Sequence, residues 1–208
     1  MPDSNPEHAS LDSLIALGVV RSYPRNTVLF QEGDKGDQLY VIVSGKVKVF
    51  LADSDGKEII VDVLGPGKYF GEMTLDGSPR SASVMTTEAS RLSTVEHAVF
   101  KRFLADHPDA AFSLVITLIG RARNLTRAVG SLALLDVYGR VARLLLENAT
   151  EESGRLIVGT PMTQQEIAKR VGASREMVWR ILDDLRQGKY IAIEHNRIVI
   201  QQQLPKRW

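Results

Sequence analysis

Two helix-start signals stand eleven residues apart near the end of the chain, Thr163-Gln-Gln-Glu166 and Ser174, with Gly172 between them. Thr163 can accept from the backbone N–H at Glu166 while the Glu166 carboxylate reaches back, a capping box. The helix it opens, over 166–171, stops at Gly172, and Ser174 caps a second helix over 175–185 that ends near Gly188. Two short helices joined by a glycine-containing turn form a helix-turn-helix. Ala168, Val171, Val178, Ile181 and Leu182 can form its shared core. Arg175, Glu176 and Arg180 are then left facing outward, positions 176 and 180 being one turn apart. The runs 190–193 and 197–200 flank Glu194-His-Asn196 and read as a β-hairpin, a wing.

The exposed chemistry of this unit suits the major groove of double-stranded DNA. Arginine forks onto the O6 and N7 acceptors of guanine, and glutamate accepts from cytosine N4. Thr163, Gln165 and Ser174 sit near helix starts, where hydroxyl, amide and backbone N–H groups can hold phosphates. The plainer alternative makes Arg175 and Glu176 surface ion pairs, which contribute little. Charge favours the DNA reading. Residues 138–208 hold 12 Lys/Arg against 8 Asp/Glu, whereas residues 1–107 hold 11 against 15, an asymmetry hidden by the net charge of +1.

The front half has another grammar. Eight of the 16 glycines fall between Gly33 and Gly77, punctuating short β-rich runs at 27–30, 39–43, 46–51 and 58–64. Lys46-Val-Lys-Val alternates polar and apolar, as a half-buried strand should. Gly33-Asp34, Ser44-Gly45, Asp55-Gly56 and Pro66-Gly67 supply turns, so a sandwich or antiparallel roll is expected. Beyond Pro108 the pattern becomes helical. Ala111, Val115, Leu118, Ala122, Leu125, Val129 and Leu132 follow one another at steps of four and three, an a/d seam flanked by Arg121, Arg123 and Arg127. A single helix packed on its own domain would show the same seam, but the flanking arginines favour a homodimer. Asp136 is placed to cap a further helix over 137–148, leaving a hinge at 135–137.

The chain divides on this reading into a flexible tail (1–10), a β-roll (11–107), a dimerisation helix with its hinge (108–136) and a winged helix-turn-helix (137–208), an α+β fold overall. With no cysteine, disulfides, thiolate metal sites and cysteine nucleophiles are excluded. His8, His97, His107 and His195 are scattered, not at metal-ligand spacing, so no metal is expected. Trp179 and Trp208 read as packing or exposed residues. The first ten residues lack the basic start and apolar run of a signal peptide, and a cytoplasmic protein is expected.

Gly172-Ala-Ser-Arg-Glu-Met-Val-Trp-Arg-Ile-Leu182 resembles the recognition-helix segment of the CRP/FNR family, the catabolite activator (cyclic AMP receptor) proteins and their relatives. Val129-Gly-Ser-Leu-Ala-Leu-Leu-Asp-Val-Tyr-Gly-Arg-Val141 is similar to the family's hinge. Phe70-Gly-Glu-Met-Thr-Leu-Asp-Gly-Ser-Pro-Arg-Ser-Ala-Ser-Val84 resembles its phosphate-binding cassette. The resemblance covers essentially residues 11–203. It implies a cyclic-nucleotide-binding jelly roll, a homodimer, RNA polymerase as a further partner, and cyclic AMP or a related cyclic nucleotide as effector, with no covalent cofactor.

Carried over residue by residue, the resemblance gives Gly71 a close backbone approach and Glu72 the ribose 2′-hydroxyl. Arg80 takes the cyclic phosphate, and the Ser81 hydroxyl completes the cradle. A buried phosphodiester needs a fixed cation with directed donors, which arginine supplies. On the residues alone, Glu72 and Arg80 equally suit a loop ion pair. Leu125 and Thr126 occupy the place of two adjacent hydroxyl residues that read the purine; Leu125 removes one polar contact and leaves cyclic AMP, cyclic GMP and cyclic di-GMP open. Gln164 replaces a phosphate-binding arginine, whereas Arg175, Glu176 and Arg180 match the family and imply a TGTGA-type half-site. An enzyme with Glu72 as general base lacks a nucleophile, metal or second acid, so no enzymatic activity is expected.

Overall fold

A computed structural model describes residues 6–159 and 161–205, Pro6–Ser10 by their backbone alone; Trp208 and the His8 side chain lie outside the described residues. The chain forms two compact units, the first ending at Ala122 and the second beginning at Arg123, a division that falls inside one continuous helix.

In the first unit, helix α1 (Pro6–Ala16) begins within the stretch expected as a tail. It precedes strands β1 (Val19–Tyr23), β2 (Val28–Phe30), β3 (Gln38–Ser44), β4 (Val47–Ala52), β5 (Glu58–Leu64), β6 (Tyr69–Phe70), β7 (Ser83–Thr86) and β8 (Ser90–Glu96). These make two four-stranded antiparallel sheets, ordered β1-β8-β3-β6 and β2-β7-β4-β5. Ile42, Phe70 and Leu92 from one sheet meet Val47, Leu64 and Val84 from the other in a shared apolar layer. Leu39, Val41 and Val95 point to the opposite face, where Leu14 of α1 and Phe100 and Phe103 of α2 (His97–Asp106) cover them. Strand β3 is therefore buried on both faces, in keeping with the apolar run from Leu39 to Val43 between its polar ends.

Strand β4 departs from the expected alternation. Lys48 is buried, its Nζ 2.5 Å from Glu58 Oε2 and 4.3 Å from the Phe50 ring centroid. The paired carboxylate and the aromatic face compensate the ammonium's lost hydration. Strand β8 escapes a reading by hydropathy because its inner positions include hydroxyls: Ser93 is fully buried and donates to Ile15 O at 2.9 Å.

Helix α3 (Pro108–Leu134) has no buried residue along its 27 positions. Val115, Leu118, Leu125, Val129 and Leu132 of the expected seam are all exposed, Val129 at 65%. After it, Asp136 accepts from Gly139 N at 2.7 Å and caps α4 (Val137–Glu147), as its position predicts.

The second unit continues with β9 (Ala149–Glu152), β10 (Arg155–Val158), α5 (Gln164–Val171), α6 (Arg175–Gln187), β11 (Ile191–Glu194) and β12 (Arg197–Ile200). All five residues expected in the helix-turn-helix core are buried, joined by Tyr138, Val141 and Leu145 of α4 and Ile191 and Ile200 of the sheet. The capping box at Thr163 is complete, and Ser174 Oγ accepts from Met177 N at 3.2 Å. Arg140 ties the turn down, donating to Val171 O at 2.8 Å and Leu135 O at 2.9 Å. The wing turns at His195 and Asn196, both at positive φ (48° and 64°), the backbone of a type I′ hairpin. A second hairpin, β9–β10, extends the sheet to β11-β12-β10-β9.

Gly172 is left-handed (φ 66°) and its N–H closes α5 onto Ala168 O. A Cβ there is strained by about 1–2 kcal/mol. Gly172→Ala should therefore lower unfolding stability by about 1 kcal/mol with an unchanged denaturant slope, measured by urea titration with far-ultraviolet circular dichroism.

Candidate functional site

The cassette of the first unit begins where β6 ends. Gly71 adopts a left-handed φ of 88° and starts a short 3-10 turn, Glu72–Asp76. The turn carries Glu72 inward, where it is buried, and the chain returns through Arg80, also buried. Main-chain hydrogen bonds between Arg80 and both Gly33 and Asp34, each 2.8 Å, fasten it to the loop before β3.

The Arg80 guanidinium is held by neutral groups. Nη1 donates to Gly71 O (2.9 Å) and Thr74 Oγ1 (3.4 Å), and Nη2 donates to Gln38 O (2.7 Å). The Phe30 ring lies 4.2 Å from Cζ, and Nε is buried without an acceptor. Two glycines leave room for it: a Cβ at Gly36 would stand 2.4 Å from Nη2, and one at Gly71 would stand 2.6 Å from Nη1. No ion pair compensates Arg80 among the described residues. Burial accordingly pulls its pKa down, against the opposing pull of Tyr40, Asp37, Asp34 and Glu72. A buried cation satisfied only by dipoles keeps a charge without a counter-ion, an arrangement that can accept an anion.

Glu72 does not pair with Arg80, which removes the loop ion pair left open as an alternative on the residues alone. Its Oε1 accepts from Arg121 Nη1 instead, while Arg121 Nη2 donates to Tyr69 O at 2.6 Å. The Arg80 terminal nitrogens donate to Gly71 O, Thr74 Oγ1 and Gln38 O, and Arg121 reaches the carboxylate from α3. Glu72 Oε2 stays buried with no donor among the described residues, an acceptor with a free lone pair. Ser81 lies exposed, its Oγ 3.4 Å from Met73 Sδ. Leu125 and Thr126 are exposed on α3 beyond Ala122, in the second unit.

In the second unit Arg175, Glu176 and Arg180 are exposed on α6, and no hydrogen bond or ion pair engages their side chains among the described residues. The surface-pair alternative is thereby removed. Thr163 and Gln165 are exposed at the start of α5; the Thr163 hydroxyl is engaged within its capping box with Glu166.

Comparison with known proteins assigns both units. Residues 20–107 match the cyclic nucleotide-binding domain family, and residues 139–203 match the Crp-like helix-turn-helix domain family. The chain is 37% identical over 183 residues to a CRP-like cAMP-activated global transcriptional regulator of Mycobacterium tuberculosis, covering 86% of this chain and 82% of the relative. It is 35% identical over 207 residues to the cAMP-activated global transcriptional regulator CRP of Escherichia coli, covering 96% of each. The c-di-GMP responsive global regulator CLP of Xanthomonas campestris superposes with a TM-score of 0.81 at 25% identity, covering 94% of this chain and 99% of that one. The chain belongs to the CRP family of transcription regulators.

In this CRP-family chain the cassette places Gly71, Glu72 and Arg80 in one neighbourhood. Sequence reasoning missed Gly36, Gln38 and Arg121. Arg121 carried a signal, a basic residue beside an apolar seam, but its spacing was read as a solvated flank. Gly36 was one glycine among eight, and Gln38 acts through its backbone, which no side-chain motif records.

His97 opens α2 with Nε2 3.4 Å from Thr74 Oγ1. Burial lowers its pKa, with Arg80 adding to the effect and a backbone hydrogen bond at Gly71 opposing it. A histidine whose folded pKa is depressed contributes stability above its ordinary pKa of about 6.5, lost as pH falls through the folded value. His97→Gln should therefore flatten the loss of unfolding stability between about pH 7 and pH 5, measured by urea titrations across that range.

Proposed function

We propose that this protein is a homodimeric, ligand-gated, sequence-specific DNA-binding transcription regulator of the cytoplasm. In this reading it recognises a palindromic TGTGA-type site in response to cyclic AMP or a related cyclic nucleotide, with RNA polymerase as a downstream partner. One observation carries the ligand half: the buried Arg80 guanidinium, without a carboxylate of its own, beside the unpartnered Glu72 Oε2. The cyclic phosphate neutralises Arg80 while the ribose hydroxyl donates to Glu72, and each charge-assisted bond contributes roughly 1.5–3 kcal/mol. Gly71, Glu72, Arg80 and Ser81 form the cradle, and Leu125 and Thr126 are assigned to the base.

The apolar stripe of α3 supports the homodimer, since a 27-residue helix with no buried side chain leaves its seam for a second copy. A symmetric pair of recognition helices reads half-sites about 34–36 Å apart. Ligand that binds the DNA-competent arrangement more tightly is in turn bound more tightly when DNA is present. Leu125 supports a second reading: an apolar side chain, 49% exposed, in place of a hydroxyl weakens the case for adenine and keeps cyclic GMP and cyclic di-GMP as effectors.

Titration of a palindromic TGTGA-type duplex with and without cyclic AMP tests the first reading, and a tighter complex with cyclic AMP is expected. Equal affinities remove cyclic AMP as effector; calorimetry against cyclic AMP, cyclic GMP and cyclic di-GMP then separates the two readings. Arg80→Ala should abolish the response, because it removes the only buried cation placed for the phosphate among the described residues.

On the DNA side, Arg180→Ala should cost about 1–3 kcal/mol and relax preference at one half-site position. Uniform weakening across all sequences, in a competition assay with single-base variants, would reassign Arg180 to a phosphate.

A further inference from the structure

The helix that carries Arg175, Glu176 and Arg180 also exposes a large aromatic that the reading above leaves unused. Trp179 is 53% exposed on α6, and no hydrogen bond, ion pair or ring contact engages it among the described residues. It follows Arg175 by one turn and adjoins Arg180. At 3.6 residues per turn, Arg175, Trp179, Glu176 and Arg180 fall in that angular order across an arc of roughly 140°. Val178, Ile181, Leu182 and Leu185 face the core from the other side. Trp179 thus lies between Arg175 and Glu176 around the helix, inside the face assigned to bases and not on its margin.

The surroundings suit contact with DNA. Asp183, one turn further on, has its carboxylate covered by Arg186 (2.6 Å to Oδ1) and Gln187 (2.7 Å to Oδ2). Its charge is thereby offset where phosphates would approach. The exposed indole carries a single N–H donor and otherwise offers a broad apolar ring. Arginine and glutamate read the polar edges of guanine and cytosine, but the C5-methyl of thymine is recognised by an apolar side chain.

We propose that Trp179 is a fourth base-reading residue, its indole packing against a thymine C5-methyl in each half-site beside the pairs read by Arg175 and Glu176. The proposal rests on the DNA-binding reading and adds a specificity-determining contact to it.

Deoxyuridine substitution tests it, because uridine lacks only the methyl group. The full chain, with cyclic AMP present, is first used to select its operator from random duplexes, and each thymine is then replaced in turn. The wild type should lose affinity about fourfold at one half-site position, the scale of one methyl-sized apolar contact. Trp179→Ala should bind the parent duplex correspondingly more weakly and no longer sense that uridine, whereas Trp179→Phe should retain the sensitivity. Matching melting curves for the variants confirm that the fold is kept. A wild type that binds its operator but ignores every uridine overturns the proposal, as does a Trp179→Ala variant with undiminished uridine sensitivity; in both, the DNA-binding reading survives. Failure to select any operator in the presence of cyclic AMP, cyclic GMP or cyclic di-GMP overturns that reading, and the proposal with it.

Discussion

A guanidinium enclosed by a β-roll and satisfied only by carbonyls, a hydroxyl and an aromatic face organises the first unit. Desolvating an unpaired charge costs several kcal/mol, so such an arrangement persists only where the surrounding fold holds it in place. Here Gly71 O and Gln38 O fix the terminal nitrogens, and the absence of side chains at Gly36 and Gly71 leaves the space they occupy. Phe30 closes one face. Nε stays buried without an acceptor among the described residues, so an anion in the proposed site would meet a donor already desolvated.

The same cassette is tied to the long helix by a second arginine. Arg121 of α3 holds Glu72 Oε1 and the Tyr69 carbonyl, so the carboxylate that offers Oε2 to a ligand is positioned from the helix bearing the apolar seam. A ligand that draws on Glu72 therefore alters a charge-assisted contact of α3. In the proposed function, this contact connects ligand binding to α3 through one carboxylate and one guanidinium.

In the second unit the division of labour is simpler. The apolar residues of α4, α5 and α6 bury one another, the Arg140 side chain holds the turn by donating to the Val171 carbonyl, and Arg175, Glu176 and Arg180 of α6 have no intramolecular partner among the described residues. Holding the recognition side chains free of intramolecular partners avoids breaking ion pairs when bases are met. The exposed indole of Trp179 belongs to that face by its position, and it carries a chemistry that its charged neighbours lack.

Local rules were sufficient for much of this molecule. Thr163, Gly172, Ser174 and Asp136 announce helix ends because capping involves groups within three or four residues. The seam of α3 and the core of the helix-turn-helix follow from periodicity alone. Strand β5 was legible to the residue from its apolar run, whereas β8 was hidden by buried hydroxyls whose partner, Ile15 O, is 78 residues away. In the cassette, the motif residues were legible but their partners were not. Glu72 finds Arg121 across 49 residues, Arg80 finds Gln38 O across 42, and Lys48 is buried only because an adjacent strand brings Glu58 to it. Sequence determined where the helices of the second unit are capped and which faces of α3, α5 and α6 are apolar. Only tertiary folding decided which charge is compensated and which is left for a ligand, because that depends on pairings between segments that no local rule connects.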